Sequence, residues 1–234
     1  HLDAITVSFY RFVIAFLFVL AVSLVNKELP TFRQFGQRRW FFILLTGISL
    51  TVNYLTYAQG LAHLDPESAQ VLIQFAPFLL MLGGIWLFNE SFTKLQMLGA
   101  TILLSGFVLF FDGKWQLLFS SLSQYTIGVI LILIAAVTWA IYALLQKSLF
   151  QHFTSSQMTL LMYGMGCLFI FPFASIFQIS GMTWLSGLSL LFCGFNTIIA
   201  YGCFTKALSV WEASKVSAVI ALAPIFTILN TGIA

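Results

Sequence analysis

Apolar runs of roughly 20 residues, separated by short polar punctuation, recur along the whole chain. A hydrocarbon layer about 30 Å thick is crossed by a helix of about that length. The pattern predicts eight such helices, over 4–25, 40–61, 67–88, 94–111, 126–149, 156–178, 184–208 and 213–234. Only 26–39 and 112–125 read as loops of any size, which leaves no room for an appended soluble domain between the runs. The polar residues inside the runs keep helical spacing. Thr46, Ser49, Asn53, Tyr57 and Gly60 fall three or four apart on one face. Gln70, Gln74 and Pro77 share a face that Met81 continues, and Trp139, Tyr142 and Gln146 share another.

Composition fixes the solvent. The chain is 60% hydrophobic and 7% charged with a mean hydropathy of +1.00, whereas about a quarter of a soluble domain's residues are charged. Lysine and arginine favour the cytoplasmic ends of short loops. Lys27, Arg33, Arg38 and Arg39 share one loop, and counting alternate loops places Lys94, Lys147, Lys206 and Lys215 on the same side, with Lys114 opposite. Loop 26–39 is therefore expected in the cytoplasm, and the first run crosses from outside to inside. A preceding helix with a cytoplasmic N-terminus is expected ahead of it, because the start lacks the charged region and cleavage site of a signal peptide. The net charge of +3 is this positive-inside bias and implies no nucleic acid. Cys167, Cys193 and Cys203 lie within runs and His1, His63 and His152 lie near loops, without metal-ligand spacing, nucleophile elbow or paired intramembrane aspartates. No metal, cofactor or enzyme activity is expected.

The chain also resembles itself. NYLTYAQGLAHLDPESAQVLIQFAPF from Asn53 and AYGCFTKALSVWEASKVSAVIALAPI from Ala200 align without a gap. Leu44, Gly47, Tyr54, Leu61, Ile73, Ala76, Pro77 and Leu82 each recur 147 positions later, and Asp65 is answered by Glu212. The runs holding Pro77 and Pro224 are an odd number of crossings apart, so the copies face opposite ways. The charges agree: 63–67 carries no lysine or arginine, and its copy gains Lys206 and Lys215. The expected fold class is an all-α polytopic membrane protein with an inverted repeat of two five-helix halves, a ten-helix fold of which about eight helices are present. The first repeat is 1–111, the connecting loop 112–125 and the second repeat 126–234. The partner of 126–149 would precede His1 and that of 94–111 would follow Ala234.

The stretch from Tyr54 through LAHLDPESAQVLIQFAPFLLMLGGIWLFNESFTKLQMLGATILLSGFVLFF resembles the repeat of the EamA family of the drug/metabolite transporter superfamily. It shares an aromatic-rich helix, a following helix with a mid-membrane proline, a glutamate at that helix's end and a glycine-bearing fifth helix. DAITVSFYRFVIAFLFVL, with Arg11, resembles the family's second helix. The resemblance implies ten helices, cytoplasmic termini, a bacterial inner membrane location and export or exchange of small metabolites. Asn89 stands where the family often has glycine, a change expected to matter only to the turn.

Polar groups at membrane depth need partners or water. The stripe through Asn53 and Tyr57 fits either interhelical packing or a cavity wall. Pro77 should kink its helix and free the carbonyl of Ile73, and Pro224 should do the same in the copy. Gln74, one turn from the kink, is the first choice for a hydrogen bond to a polar substrate, with a bond to a neighbouring helix as the alternative. The copy offers Asn196, Ala200 and Cys203, then Ser214, Ser217 and Ala221, with Tyr201 the partner of Tyr54. Trp139 and Tyr142 complete the candidates, as stacking surfaces or as core. The substrate-binding set is Asn53, Tyr57, Gln74, Trp139, Tyr142, Asn196, Tyr201 and Ser217, with Pro77 and Pro224 shaping the helices. Arg11 is expected to snorkel outward or pair with Asp3, Glu90 to pair with Lys94, Glu212 with Lys215, and Thr93 with Gln96 to form a capping box. No acidic group lies deep in a run, which favours neutral or zwitterionic, amino-acid-like substrates. The reading is an alternating-access carrier with its site between the repeats. A channel or a non-transporting assembly protein is the alternative. The expected partners are a small-molecule substrate and the lipid bilayer, and a homodimer is left open.

Overall fold

A computed structural model describes residues 3–112 and 123–224. Lys114 and the end of the last expected run, 225–234, lie outside them. Among the described residues all regular structure is helical: α1 (Ala4–Val25), α2 (Gln37–Leu61), α3 (Pro66–Leu72), α4 (Phe75–Phe88), α5 (Lys94–Phe110), α6 (Gln124–Leu149), α7 (Ser155–Ile170), α8 (Trp184–Val210) and α9 (Ala213–Ile220). Six spans are long and apolar enough to cross a membrane (α1, α2, α3 with α4, α6, α7 with its following turn, and α8), and α5 is a shorter apolar helix. The outward surface suits lipid: Trp86, Phe177 and Trp184 are each more than 80% exposed, a cost in water that a bilayer removes.

Caps and prolines set the ends. Asp3 accepts from the Thr6 N–H and hydroxyl, both at 2.8 Å, and starts α1. Thr93 with Gln96 forms the expected capping box of α5, and Thr154 with Gln157 forms a second one at α7. The run expected over 156–178 is helical only to Ile170. Pro172 cannot donate to an α-helical ladder, and the chain continues as 3-10 turns over Phe171–Phe173 and Ile176–Gly181. The left-handed backbone at Asn89 (φ 51°, ψ 38°) ends α4. Glycine is easiest there and asparagine next, so the substitution is absorbed in the turn.

The chain forms two compact units, His1–Tyr54 with Leu145–Trp211, and Leu55–Leu144 with Glu212–Ala234. Each takes segments from both expected repeats. In the first unit α1 packs on α7 and α8, and α7 on α8, around Phe12, Met162 and Tyr163. Two close approaches recur at the repeat spacing. A Cβ on Gly47 of α2 would stand 2.8 Å from Met165 of α7, and one on Gly194 of α8 would stand 2.8 Å from Ile14 of α1. In the second unit Leu64, Ala69, Leu72, Val129 and Ile132 form a buried cluster, and α9 packs along α4.

Candidate functional site

Asp65 begins α3 by accepting from Ser68 N–H at 2.8 Å, with Pro66 in the first turn. Eleven positions on, Pro77 has no N–H and its ring crowds the carbonyl four residues back, so one helix cannot run through. The backbone shortens its bonds over Ile73 and Gln74. Gln74 N–H donates to Val71 O at 3.1 Å and Ala76 N–H to Ile73 O at 2.9 Å. The expectation of a kink with a free Ile73 carbonyl is thus corrected: the helix is interrupted, and Ala76 takes that carbonyl. The donors that an unbroken helix would send to Gln70 and Leu72 are the ones redirected.

Gln74 sits on this interruption, 9% exposed, and its Oε1 has no hydrogen-bond partner among the described residues. A buried acceptor left unpaired costs about 1–3 kcal/mol, so an orphan at a helix break is a chemical signal as much as a structural one. The copy repeats the local design. Glu212 occupies the N-cap position of α9, 147 residues after Asp65, and α9 breaks at Ala221 and Leu222 just before Pro224. Leu222 N–H donates to Val219 O at 3.2 Å, the same shortened bond. Ser217 is buried and donates its hydroxyl to Ser214 O at 2.8 Å, while the buried Ser214 Oγ has no partner among the described residues.

The second unit holds Tyr57, Gln74, Trp139, Tyr142 and Ser217 together with both prolines. Tyr57 packs against the Leu64–Ile132 cluster beside Val71 and Ile73. Tyr142 is fully buried on α6 and Trp139 half-buried one turn before it. The first unit holds Asn53, Asn196 and Tyr201. Asn53 is buried on α2, whereas Asn196 lies on the exposed face of α8 and its neighbour Thr197 points inward.

Sequence spacing missed three contacts. The Glu90 carboxylate accepts from Ala213 N–H at 2.7 Å and Ser214 N–H at 2.8 Å, so the end of α4 caps the start of α9. Gly84 makes this possible, because a Cβ there would meet Glu90 Oε2 at 2.6 Å. The four-residue spacing to Lys94 hides a role played 123 positions away. Glu212 and Lys215 do pair, at 3.1 Å. In the first unit Arg11 Nε donates to Thr197 Oγ1 at 2.9 Å, and Tyr163 Oη donates to Thr197 O at 3.0 Å. Asp3 is occupied in capping α1 and lies eight residues from Arg11, about 12 Å along the axis, so Arg11 turns to α8 instead. The third is Tyr54 Oη donating to Tyr201 Oη at 2.8 Å. The two tyrosines are 147 positions apart, the spacing of the internal sequence similarity.

Buried polar groups, two interrupted helices and an apolar exterior define a multi-pass membrane protein. Comparison with known proteins specifies it further. The model of the EamA-like transporter family matches residues 1–112 and 126–233. A protein of Haemophilus influenzae known as an uncharacterized transporter is 38% identical over 235 residues, which span all of this chain and 76% of that protein. The Escherichia coli inner membrane transporter YhbE, also uncharacterized, is 35% identical over 224 residues, 95% of this chain and 70% of its own length. A crystal structure with 16% identity superposes with a TM-score of 0.75 over 100% of this chain and 81% of that one, a likeness of fold alone. The chain belongs to the EamA-like transporter family.

Proposed function

We propose that the protein is an inner-membrane carrier that exports or exchanges small neutral or zwitterionic, amino-acid-like metabolites by alternating access. The observation that supports this reading is the buried Gln74 Oε1, unpartnered among the described residues, at the break before Pro77. An acceptor held dry and unpaired is suited to an N–H or O–H donor brought by a substrate, and discontinuous helices near midplane are where carriers place such sites. Tyr57, Trp139, Tyr142 and Ser217 are the proposed companions, drawn from both repeats, with Pro77 and Pro224 marking the helices that move. Asn53, Asn196 and Tyr201 belong to the first unit, where Tyr201 is engaged by Tyr54.

The inverted five-helix repeat is part of the same proposal. It is supported by the contact of Tyr54 with Tyr201 and by the exchange that sets Gly47 on α7 and Gly194 on α1. A two-fold operation that swaps α1 with α7 and α2 with α8 maps one approach onto the other. The location follows from the positive-inside bias and from the similarity to YhbE. The test is counterflow in liposomes with purified protein and a panel of labelled neutral amino acids and nucleosides. Saturable exchange that falls about tenfold or more in Gln74→Leu, the loss of one well-placed buried hydrogen bond, is expected. Exchange undiminished in that variant removes Gln74 from the site. Linear, non-saturating flux makes the protein a channel.

A further inference from the structure

At the cytoplasmic end of the first unit, a cavity of about 390 Å³ opens between the turn after α6 and the last turns of α8. Its polar wall carries His152, Thr154, Ser155, Lys206 and Ser209, and Phe150 and Phe153 line its apolar side. Lys206 Nζ has no hydrogen bond or ion pair among the described residues, and no carboxylate lines the cavity there. The loop 26–36, which carries the positive charge expected inside, is tied to the same end by Gln34 Nε2 donating to His152 O at 3.0 Å.

Ser155 is shared with a second cavity, a groove of about 210 Å³ between α1, α7 and α8. Phe18, Val19 and Val22 of α1 face Ile198 and Gly202 of α8 across it, and only Ser155, Ser156 and Thr159 are polar. Phe18 and Val22 are exposed, so the groove opens on the lipid-facing surface. Gly202 leaves it vacant, because a Cβ built there meets nothing within 4 Å. From Lys206 to Ile198 is eight residues, about 12 Å along α8, close to the half-thickness of about 15 Å that one leaflet's acyl chains fill.

We propose that these two adjoining cavities, which share Ser155, form a binding site for an anionic phospholipid of the cytoplasmic leaflet, with the phosphate headgroup at Lys206 and His152 and one acyl chain in the groove beside Gly202. An apolar groove on the outer face of a membrane helix bundle admits hydrocarbon. A basic cavity at its mouth selects the negatively charged headgroup, as basic pockets at the cytoplasmic ends of helices do. Neither feature belongs to the Gln74 region, so the lipid is a ligand distinct from the transported substrate.

The test is native mass spectrometry of the full-length protein released from nanodiscs, with phosphatidylglycerol against phosphatidylethanolamine and with inorganic phosphate as competitor. Retention of phosphatidylglycerol over phosphatidylethanolamine is expected, weakened about fivefold in Lys206→Gln, the factor for one basic residue near the surface. It should be abolished in Gly202→Leu, whose side chain would extend into the groove from a Cβ that meets nothing within 4 Å. Phosphate at millimolar concentration should leave the lipid bound. Equal retention of both lipids, or wild-type retention in both variants, would overturn the proposal. Displacement by phosphate would reduce the site to an anion pocket. A second protomer lost in Gly202→Leu would assign the groove to a copy of this chain. Melting temperatures matching the wild type confirm that both variants are folded.

Discussion

Removing the carboxylate of Glu90 should loosen α9 from α4 more than any other single surface-level change. The N–H groups of Ala213 and Ser214 belong to fully buried residues, and at the first turn of a helix they have no intrahelical acceptor. Glu90 takes both, at 2.7 and 2.8 Å. A hydrogen bond to a charged group is worth about 1.5–3 kcal/mol, and a carboxylate at a helix N-terminus adds up to about 2 kcal/mol through the helix dipole. Water at the membrane interface recovers part of this, so Glu90→Ala is expected to cost about 3 kcal/mol. Glu90→Gln keeps one acceptor and turns an NH₂ towards the other N–H, for a cost of about 1.5–2 kcal/mol. Gly84→Ala should act through the same contact, since its Cβ displaces Glu90 Oε2. The double variant should therefore cost less than the sum of its parts. Equilibrium unfolding in mixed detergent micelles, followed by the fluorescence of the six tryptophans, reads these differences. If Glu90→Ala and Glu90→Gln both stay within about 0.5 kcal/mol of the wild type, the cap contributes nothing and the reasoning fails.

Three further outcomes follow from the same geometry. Tyr54→Phe and Tyr201→Phe should each destabilise modestly, with a coupling of about 0.6–1.5 kcal/mol in the double-mutant cycle; strict additivity would deny their hydroxyl contact. Thr197→Val removes the acceptor of Arg11 and should cost about 1.5–3 kcal/mol in unfolding free energy, and a smaller loss than Ser189→Ala on the exposed face of the same helix would contradict it. Gly47→Ala and Gly194→Ala should each cost about 1–3 kcal/mol through overpacking, whereas Gly99→Ala and Gly106→Ala, with nothing near their Cβ positions, should gain up to about 1 kcal/mol. Melting temperatures that fail to separate the two pairs would show that the close approaches are not real constraints.

Much of the fold was legible because the bilayer imposes one rule, an apolar run for every crossing, and the runs at 4–25 and 126–149 match α1 and α6 within two residues. The interruptions were half legible. Pro77 and Pro224 flagged both, but whether a proline bends a helix or ends it depends on what the backbone donors find next, here Ile73 O. Pro172 carried the same information and was overridden by the apolar residues around it. Gln74 could be picked out from its spacing to Pro77, but that its oxygen is buried and unpaired among the described residues depends on the packing around the break. Asn196 and Thr197 show the opposite case: adjacent polar residues differ by about 100° around a helix, and only tertiary packing decides which turns inward. The contacts of Glu90 and Arg11 join residues more than a hundred positions apart, where no periodicity reaches.

Alternating access around Gln74 is tested most directly by asking which side of the membrane reaches that position. Gln74→Cys would be placed in a background with Cys167, Cys193 and Cys203 replaced, and reacted with a small, charged, membrane-impermeant thiol reagent in right-side-out and inside-out vesicles. Labelling from both faces, slowed from both by a transported substrate, is expected. Labelling from neither face, or from one face regardless of substrate, would contradict it.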